Sequence, residues 1–312
     1  MCYKVLVSTV GLPRTEWLKY RKRGIGGSDA GAVCGLNPYV SPMQVFVDKT
    51  TMETDDVDNE AMRTGRDLEE YVAKRFTEVT GLKVRRKNAM LYSEKYPFMF
   101  ADVDRMIVGE NAGLECKTAS PYSKDKWENG EAPAHYLIQC HHYMAVTGAE
   151  AWYLAVLIYG VEFKYIKVER DEEIIKYLCE IESEFWNNHV VPGLMPSPDG
   201  TEISEAVIRQ YFSKSNPEGR IRLKDELNDK LKRREELDEL IERLETEKRQ
   251  IEQEVKMYMQ ENEAAENESY IVTWKNVVSQ RIDAGRLKKE EPELYKRFVQ
   301  SVSSRRFTVK AA

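Results

Sequence analysis

The sequence contains few of the residues that build disulfide frameworks or sulfur-rich metal centres. Only 4 histidines occur in its 312 residues, and its 5 cysteines are scattered and odd in number. The cysteines are Cys2, Cys34, Cys116, Cys140 and Cys179. This distribution argues against a disulfide framework and against a clustered zinc or iron–sulfur site. We therefore expect reduced cysteines that are mostly buried.

Long hydrophobic runs and nucleotide-binding loops are also absent. Residues 1–17 hold one short apolar run that Ser, Thr, Gly and Pro interrupt, which fits neither a secretory signal nor a membrane span. The glycine-rich turn at residues 24–27 is not followed by the Gly-Lys-Ser/Thr of a nucleotide P-loop. We expect a cytoplasmic protein that uses no ATP and has no membrane partner.

The chain divides into regions of different composition. Residues 14–200 alternate between helical and strand-like apolar patterns, which predicts an α/β core domain over residues 1–200. A cluster of Pro and Gly then marks the end of this core. We expect a linker over 201–222, a long charged helix over 223–263 and a small basic cap over 264–312.

The long helix has an apolar seam. Residues 223–262 contain no Gly or Pro, and their apolar residues recur at the seven-residue spacing of a coiled coil. The seam consists of Leu223, Leu227, Leu237, Ile241, Leu244, Ile251 and Val255. Lys230, Arg234 and Lys248 interrupt it, so the pattern allows both a helix that packs against a partner helix and a solvated charged helix.

Positive charge is concentrated near the end of the chain. The formal net charge of -6 does not favour nucleic-acid binding, but a sum over the whole chain does not locate the charge. Residues 269–312 carry ten Lys or Arg against four Asp or Glu, with aromatic residues interleaved. Such a segment is typical of a surface that follows a phosphate backbone, and a merely solubilising surface is the alternative.

A predicted β-hairpin carries the candidate chemistry. Two apolar-rich runs, Phe98–Val108 and Leu114–Ala119, flank turn-forming residues at 109–113. If the turn is centred near residue 111, Asp104 lies opposite Lys117 or its neighbour.

Alternation along the second strand places Glu115 and Lys117 on one face and Cys116 on the other. Two carboxylates, from Asp104 and Glu115, together with the Cys116 backbone carbonyl suit Mg²⁺ or Mn²⁺. Lys117 could orient or deprotonate a water molecule, or offset charge on a phosphorane, as metal-assisted phosphodiester hydrolysis requires. Surface ion pairs on an exposed hairpin are the alternative.

Two predicted helices place polar side chains on apolar faces. Glu69 lies on the apolar face of a helix over 61–79, where a metal or a buried salt bridge would be its partner. Gln139 lies on a stripe with Tyr136 and Tyr143 in a buried helix over 134–146. Gln139 could hold the lysine, a water molecule or a phosphate, or bond to nearby backbone.

A basic run enters the glycine-rich turn. Arg21, Lys22 and Arg23 precede it, and Ser28 or Asp29 is placed to cap the helix that follows. Glycines let backbone N–H groups approach a phosphate, and a helix N-terminus favours an anion. The pattern indicates a phosphate-binding pocket.

The order of these motifs resembles the YqaJ-like viral recombinase family, which includes lambda exonuclease and belongs to the PD-(D/E)xK nuclease superfamily. The resemblance covers residues 14–200 and implies a restriction-endonuclease-like core, with a central mixed β-sheet flanked by helices. In that family an arginine seven residues before a serine holds the 5′-terminal phosphate, and Arg21 and Ser28 match these positions. A Gly-x-x-x-Glu helix matches Gly65 and Glu69, which makes Glu69 a metal ligand by resemblance.

The remaining motifs follow in the same order. Asp104, Glu115, the Cys116 carbonyl and Lys117 match the nuclease hairpin, and Gln139 matches the helix after it. The resemblance implies that Asp104, Glu115, Lys117 and Gln139 are catalytic.

Two positions have rivals within the sequence. Asp102 shares a strand face with Asp104 and replaces it as the first metal ligand if the register differs. Arg23 is the rival of Arg21 at the phosphate.

Family members degrade one strand of linear duplex DNA from the 5′ end, often as ring-shaped oligomers, and leave 3′ single strands for a phage annealing protein. The resemblance therefore implies a 5′-to-3′ exonuclease with Mg²⁺ or Mn²⁺, two ions in all, acting on duplex DNA with a free end. It also implies a trimer-like homo-oligomer of phage or prophage origin in the cytoplasm of a bacterial host. The segment from residue 223 onward is absent from lambda exonuclease, so its role does not transfer.

Three other functions use parts of the same sequence. One is an endonuclease of the same superfamily, and a second is a non-catalytic DNA-binding or assembly protein. The third is a zinc hydrolase using His135, Cys140, His141 and His142, whose spacing is poor because adjacent histidines on a helix diverge.

Overall fold

The computed structural model describes residues 3–51, 59–302 and 304–310. The chain divides into two compact units, Met1–Ser213 and Lys214–Ala312. The strands are β1 (Tyr3–Ser8), β2 (Ile25–Gly26), β3 (Val84–Arg85), β4 (Ala89–Ser93), β5 (Met99–Asp102), β6 (Arg105–Ile107), β7 (Ala112–Ala119), β8 (Ala151–Ile158), β9 (Glu162–Glu169), β10 (Ala264–Glu266) and β11 (Ile271–Thr273). The helices are α1 (Arg14–Arg21), α2 (Gly27–Val33), α3 (Pro42–Thr50), α4 (Glu60–Thr80), α5 (Ala134–Thr147), α6 (Glu172–Phe185), α7 (Glu202–Tyr211), α8 (Glu226–Met259), α9 (Ala284–Glu290) and α10 (Pro292–Phe298). A 3₁₀ segment spans Pro121–Trp127 and a π-helical segment spans Trp186–Val190.

The first unit contains two sheets. The larger sheet has the order β3-β6-β7-β8-β9 and is mixed, because β7 and β8 are parallel whereas its other neighbours are antiparallel. The smaller sheet has the order β1-β4-β5-β2. The predicted α/β class with a mixed sheet flanked by helices is confirmed.

Helices α4 and α5 cover opposite faces of the larger sheet. Phe76 of α4 packs with Tyr153 of β8, whereas Met144 of α5 belongs to the cluster that contains Leu154. Because consecutive strand residues point to opposite faces, these contacts place the sheet between the two helices. Side chains of β7 therefore face α5 at odd positions and α4 at even positions.

A glycine lets β7 and β8 pack closely at the start of β7. Gly113 is the register partner of Trp152, and a Cβ at Gly113 would lie 2.3 Å from the indole ring. Trp152 is fully buried. The bare backbone of Gly113 therefore makes room for the largest side chain in this part of the core.

The register of the predicted hairpin was wrong. Arg105 pairs with Leu114, so extending the ladder places Asp104 level with Glu115 rather than with Lys117 or its neighbour. The connection between the two strands is therefore centred between residues 109 and 110, and not near residue 111.

The local causes of this shift lie on both sides of the turn. Gly109 adopts a φ of +88°, a left-handed conformation that closes the turn early. Ala112 and Gly113, which read as turn residues, join β7 because they pair with β8. The predicted strand Phe98–Val108 is also divided between the two sheets, and Asp104 lies at the bend between β5 and β6.

The predicted linker over 201–222 is also partly wrong. Residues 202–211 form α7, which contacts α3 and buries Ser204 and Val207. The Thr201 hydroxyl accepts a hydrogen bond from the Ser204 N–H at 3.2 Å and caps this helix. Burial of an amphipathic face therefore extends the first unit to Ser213.

The second unit contains the predicted long helix, α8, together with the β10–β11 hairpin, α9 and α10. The apolar seam of α8 is largely exposed, with exposed fractions of 40% at Leu237 and 56% at Ile251. Neither α9 nor α10 contains a buried residue. Tertiary contacts within this unit therefore do not cover the seam.

The described cysteines Cys34, Cys116, Cys140 and Cys179 are free thiols, of which Cys140 and Cys179 are buried. Cys2 lies outside the described residues. Among the residues that the structure describes, no helix is both long and apolar enough to cross a membrane.

Candidate active site

Asp104 meets the central strand β7 through the backbone. The N–H of Cys116 donates a hydrogen bond to Asp104 Oδ2 at 2.7 Å. Asp104 lies at the bend between the two sheets, and this contact holds its carboxylate against the backbone of β7, next to Glu115. The structure thereby brings Asp104, and not Asp102, to the strand that carries Glu115 and Lys117.

Glu115 is the centre of a hydrogen-bonded cluster on the α5 side of the sheet. Its Oε1 accepts from Lys117 Nζ at 2.6 Å and from Gln139 Nε2 at 2.6 Å. The Gln139 amide also donates to the Tyr143 hydroxyl at 3.0 Å. The predicted shared face of Glu115 and Lys117 is confirmed, and Gln139 contacts the carboxylate rather than nearby backbone.

The second oxygen of Glu115 has no hydrogen-bond partner among the residues that the structure describes. Glu115 is 3% exposed, and its Oε2 is buried without a hydrogen bond. A buried carboxylate oxygen without a donor is costly, because the protein has not replaced the water that it lost. A cation in this position would remove that cost.

The electrostatics of the cluster favour a bound cation. Burial raises the pKa of Asp104 well above its ordinary value, and the charges of Glu115 and Glu69 raise it further. Burial likewise raises the pKa of Glu115, although Lys117 opposes the shift. Burial by itself lowers the pKa of Lys117, but the two carboxylates raise it overall. When both carboxylates are ionised, Lys117 offsets only one of their two charges, and a bound cation would stabilise this ionised form.

These residues fit a hard divalent ion that retains water. Among the described residues, no three His, Cys, Asp or Glu side chains form a ready-made cage. Mg²⁺ in proteins is commonly held by one or two carboxylates together with water and substrate oxygens. Asp104, Glu115 and the Cys116 carbonyl supply such a set, and the unpartnered oxygen of Glu115 is available to it.

Glu69 reaches this site through a salt bridge whose partner, Arg105, the sequence alone did not identify. Arg105 Nη1 donates to Glu69 Oε1 at 2.5 Å and to the Asp104 carbonyl at 2.6 Å, and Arg105 Nη2 lies 2.9 Å from Glu70 Oε2. Of the two partners left open for Glu69, the salt bridge is therefore present in the structure. Arg105 lies between inward-facing Val103 and Ile107, and this alternation was the available signal for a buried charge.

The residues predicted to bind phosphate lie together around Arg21. Its Nη2 donates to Ser28 Oγ at 2.5 Å and to Asp29 Oδ1 at 2.8 Å. Arg23 instead lies over the ring of Tyr20, with its guanidinium 5.6 Å from the ring centre. The structure thus places Arg21, and not Arg23, beside Ser28.

A buried lysine supports this pocket and was missed by sequence reasoning. Lys49 Nζ lies 2.7 Å from Asp29 Oδ2 and 3.3 Å from the carbonyl oxygen of Arg21. Burial favours a raised pKa for Asp29, but Lys49 and Arg21 hold it well below its ordinary value. Asp48 also lies 3.2 Å from Lys49 and 3.4 Å from Lys22, so three cations and two carboxylates form this cluster and leave one net positive charge near Ser28. No local pattern links Lys49 to Asp29, which lies 20 residues earlier in the chain.

Asp102 has a different partner from Asp104. Trp17 Nε1 donates to Asp102 Oδ2 at 2.5 Å, and the Arg21 guanidinium lies 5.4 Å from the centre of the Trp17 ring. Asp102 and Trp17 therefore connect the end of β5 with the Arg21 pocket. Trp17 lies four residues before Arg21, on the same face of α1, which was a usable helical signal.

The residues of the zinc alternative do not converge. His142 Nδ1 lies 2.8 Å from Glu182 Oε1, and its Nε2 lies 2.8 Å from the Phe100 carbonyl. Cys140 belongs to the apolar core, and His135 packs against Tyr136. His142 thus has a structural role between helices, and the zinc reading has no assembled ligand set within the described part of the chain.

Comparisons with known proteins agree with this architecture. The YqaJ-like viral recombinase domain matches residues 16–150. The uncharacterized protein YqaJ of Bacillus subtilis (strain 168) is 38% identical over 310 residues, which cover 98% of this chain and 97% of that protein. The alkaline exonuclease LHK-Exo of Laribacter hongkongensis superposes with a TM-score of 0.50 at 17% identity over 64% of this chain and 98% of its own. Its complex with dAMP also gives a TM-score of 0.50, at 18% identity over the same shares of the two chains. These two structures share the fold of this protein. The chain belongs to the YqaJ-like viral recombinase family.

Proposed function

We propose that this protein is a divalent-metal-dependent, ATP-independent deoxyribonuclease. It hydrolyses linear double-stranded DNA from the 5′ end and leaves 3′ single-stranded tails for phage-type recombination. The observation that carries the proposal is the Glu115 carboxylate: Lys117 and Gln139 hold one of its oxygens, and the other is buried without a hydrogen-bond partner among the described residues. The fold shared with LHK-Exo, an alkaline exonuclease, supports it.

Each side chain of the cluster has a distinct task. Two ions of Mg²⁺ or Mn²⁺ would be held by Asp104, Glu115, the Cys116 carbonyl and Glu69. They would polarise the phosphoryl oxygen and activate water. Gln139 fixes the Glu115 carboxylate from the α5 side. Arg105 binds Oε1 of Glu69, so any metal contact of Glu69 falls to its other oxygen.

Lys117 acts on the reacting phosphate. Its ammonium lies 2.6 Å from Glu115 Oε1 and 4.9 Å from the centre of the Tyr136 ring, which together fix its position beside the carboxylates. A lysine held there orients the attacking water and offsets the negative charge that develops on the phosphorane.

Arg21 and Ser28 give the enzyme its polarity. The guanidinium and hydroxyl are 2.5 Å apart and would share a 5′-terminal phosphate, with Lys49 offsetting the charge of Asp29 behind them. Charge-assisted hydrogen bonds from Arg to phosphate are strong and directional. A DNA end that carries a 5′-phosphate is therefore the preferred substrate.

The assembly would be a trimer-like homo-oligomeric ring in the cytoplasm of a bacterial host, with a phage or prophage origin. A ring with positive charge on an inner channel would let a chain of net charge -6 hold DNA. The exposed seam of α8 would form a coiled-coil contact, and a phage single-strand annealing protein is a candidate partner. The basic residues after position 269 would add contacts to the phosphate backbone.

Cleavage of defined DNA ends tests this proposal. End-labelled linear duplexes with a 5′-phosphate or a 5′-hydroxyl, and a covalently closed circle, are incubated with Mg²⁺ or with EDTA. We expect processive loss from the 5′ end of the phosphorylated linear DNA, and no loss in EDTA. Cutting of the circle would indicate an endonuclease, and binding of DNA without any cleavage would indicate a non-catalytic assembly protein.

Thermal unfolding tests the metal site without relying on activity. Mn²⁺ at 100 times its dissociation constant stabilises a folded protein by about 2.7 kcal/mol. We expect this gain for the natural protein and its loss in Glu115→Gln, whereas Glu70→Gln should retain it. An equal gain in Glu115→Gln would remove Glu115 from the ligand set.

A further inference from the structure

A row of aromatic rings runs from Lys117 to the protein surface. Tyr136 lies under the Lys117 ammonium, the rings of Tyr136 and His135 are 4.1 Å apart, and Tyr39 meets His135 edge-on at 6.3 Å. Tyr39 is 70% exposed although it belongs to this row. The outer end of the row is therefore a solvent-facing ring connected by contacts to the candidate active site.

The scaffold holds Tyr39 in place. The Tyr39 N–H donates to Asn37 Oδ1 at 2.8 Å, and the Asn37 N–H donates to the Gly31 carbonyl at 3.1 Å. Gly31 packs directly on α5, because a Cβ there would lie 2.7 Å from His135 Cβ. The loop that carries Tyr39 is thus anchored to α2, which also carries Ser28, and α2 packs on α5, which carries Gln139.

The chemistry of the row suits a base better than a phosphate. Burial lowers the pKa of His135, and the charges of Lys117 and Lys126 lower it further, so the imidazole is neutral at neutral pH. The phenol ring of Tyr39 and the imidazole of His135 offer ring faces and no cation. Aromatic faces bind nucleobases by stacking, with little dependence on sequence.

We propose that Tyr39 and His135 form a subsite that stacks an unpaired nucleobase at the end of the DNA duplex. This inference rests on the proposed nuclease function and names a contact that the metal site and the Arg21 pocket do not supply. Bases inside a duplex have both faces covered, so only a terminal or separated base can stack on the exposed ring. The subsite would thus favour an opened duplex end over continuous duplex.

An abasic scan combined with substitution tests the subsite. Single abasic nucleotides are placed at each of the positions nearest the 5′ end, on either strand, and affinity is measured with Ca²⁺ in place of Mg²⁺. For the natural protein we expect one or two positions at which losing the base weakens binding roughly tenfold. Tyr39→Leu should bind the duplex without abasic sites roughly tenfold more weakly, and its affinity should no longer depend on the abasic position. Tyr39→Phe should retain both the affinity and the dependence on the abasic position.

Tyr177→Leu is the matched control, since Tyr177 is 63% exposed on α6, outside the candidate active site. It should show the natural pattern. An unchanged abasic pattern in Tyr39→Leu, or a loss in Tyr39→Phe equal to that in Tyr39→Leu, would overturn the stacking subsite. A natural protein that cleaves DNA but is indifferent to every abasic position also overturns it, and leaves the nuclease function intact. A natural protein that neither binds nor cleaves DNA would instead overturn the proposed function itself.

Discussion

Replacing Lys117 by methionine isolates the contribution of its charge. Methionine approximates the unbranched aliphatic part of the lysine side chain, but it removes the ammonium that lies 2.6 Å from Glu115 Oε1 and 4.9 Å from the centre of the Tyr136 ring. A positioned proton donor or acceptor contributes about 10²–10⁴-fold to rate, or roughly 3–5 kcal/mol in activation free energy. We therefore expect the rate of DNA cleavage to fall by about 10²–10⁴-fold in Lys117→Met.

The same substitution affects folding less than it affects cleavage. Removing one partner of a buried ion pair costs about 3–5 kcal/mol, and the 19% exposure of the Lys117 side chain places the expected loss near the lower end. Gln139 still donates to Glu115, so the carboxylate retains one hydrogen bond. Circular dichroism should show a folded protein with a lowered unfolding temperature.

Single-turnover cleavage of a 5′-phosphorylated duplex and DNA binding in Ca²⁺ measure the two effects separately. Lys164→Met is the matched control. Lys117 of β7 pairs with Val156 of β8, and Val156 pairs with Lys164 of β9, so the two lysines lie at the same level of the sheet, two strands apart. The control should cleave at the natural rate. Cleavage by Lys117→Met within tenfold of the natural protein, at equal DNA binding, would refute the assigned role of Lys117.

Three further outcomes follow from the structure. Asp104→Asn should lower cleavage by at least about 100-fold, whereas Asp102→Asn should remain within about tenfold, because Asp104 accepts a hydrogen bond from Cys116 of β7 and Asp102 accepts one from Trp17 instead. Burial by itself lowers the pKa of His142, but Glu182 raises it above its ordinary value of 6.5. The folded state therefore binds this proton more tightly than the unfolded chain does, and unfolding free energy should fall as pH rises above 6.5, by at most about 1.4 kcal/mol per pH unit for this group. Gly113→Ala should destabilise the fold by about 1–3 kcal/mol in urea unfolding, because the added methyl overlaps a buried indole.

Controls make each outcome decisive. Equal loss of cleavage in the two aspartate variants would remove the distinction between the metal site and the Trp17 contact. Glu182→Gln should flatten the pH dependence above 6.5, and an unchanged slope would show that another group titrates. Gly65→Ala on α4 should be neutral or stabilising by about 1 kcal/mol, since its methyl would make an ordinary van der Waals contact of 3.7 Å with Thr118 Oγ1. Equal losses in the two glycine variants would contradict the packing explanation for Gly113.

Local periodicity was enough to identify much of the candidate site. Glu115 and Lys117 share a face because strand side chains alternate, and their 2.6 Å contact agrees with that prediction. Gln139 and Tyr143 are four residues apart on one helix, and the 3.0 Å hydrogen bond between them follows from helical geometry. Such relations depend only on the backbone geometry of one strand or helix over a few residues, so they can be predicted from the sequence alone.

Contacts between distant segments were not accessible in the same way. The salt bridge between Arg105 and Glu69 joins residues 36 apart in the chain, and the salt bridge between Lys49 and Asp29 joins residues 20 apart. The hairpin register was misjudged because pairing of Ala112 and Gly113 with β8 outweighed their preference for a turn. The extension of the first unit through α7 depended on a face that α3 buries.

The sequence by itself determined which residue types could perform the chemistry and which neighbours share a face, because these follow from the periods of strand and helix. Only the tertiary structure decided that Asp104 rather than Asp102 meets β7 and that Arg21 rather than Arg23 meets Ser28. It also decided that one oxygen of Glu115 is buried without a hydrogen-bond partner among the described residues. Each of these outcomes depends on how sheets and helices pack across long separations, where burial and pairing free energies outweigh local preference.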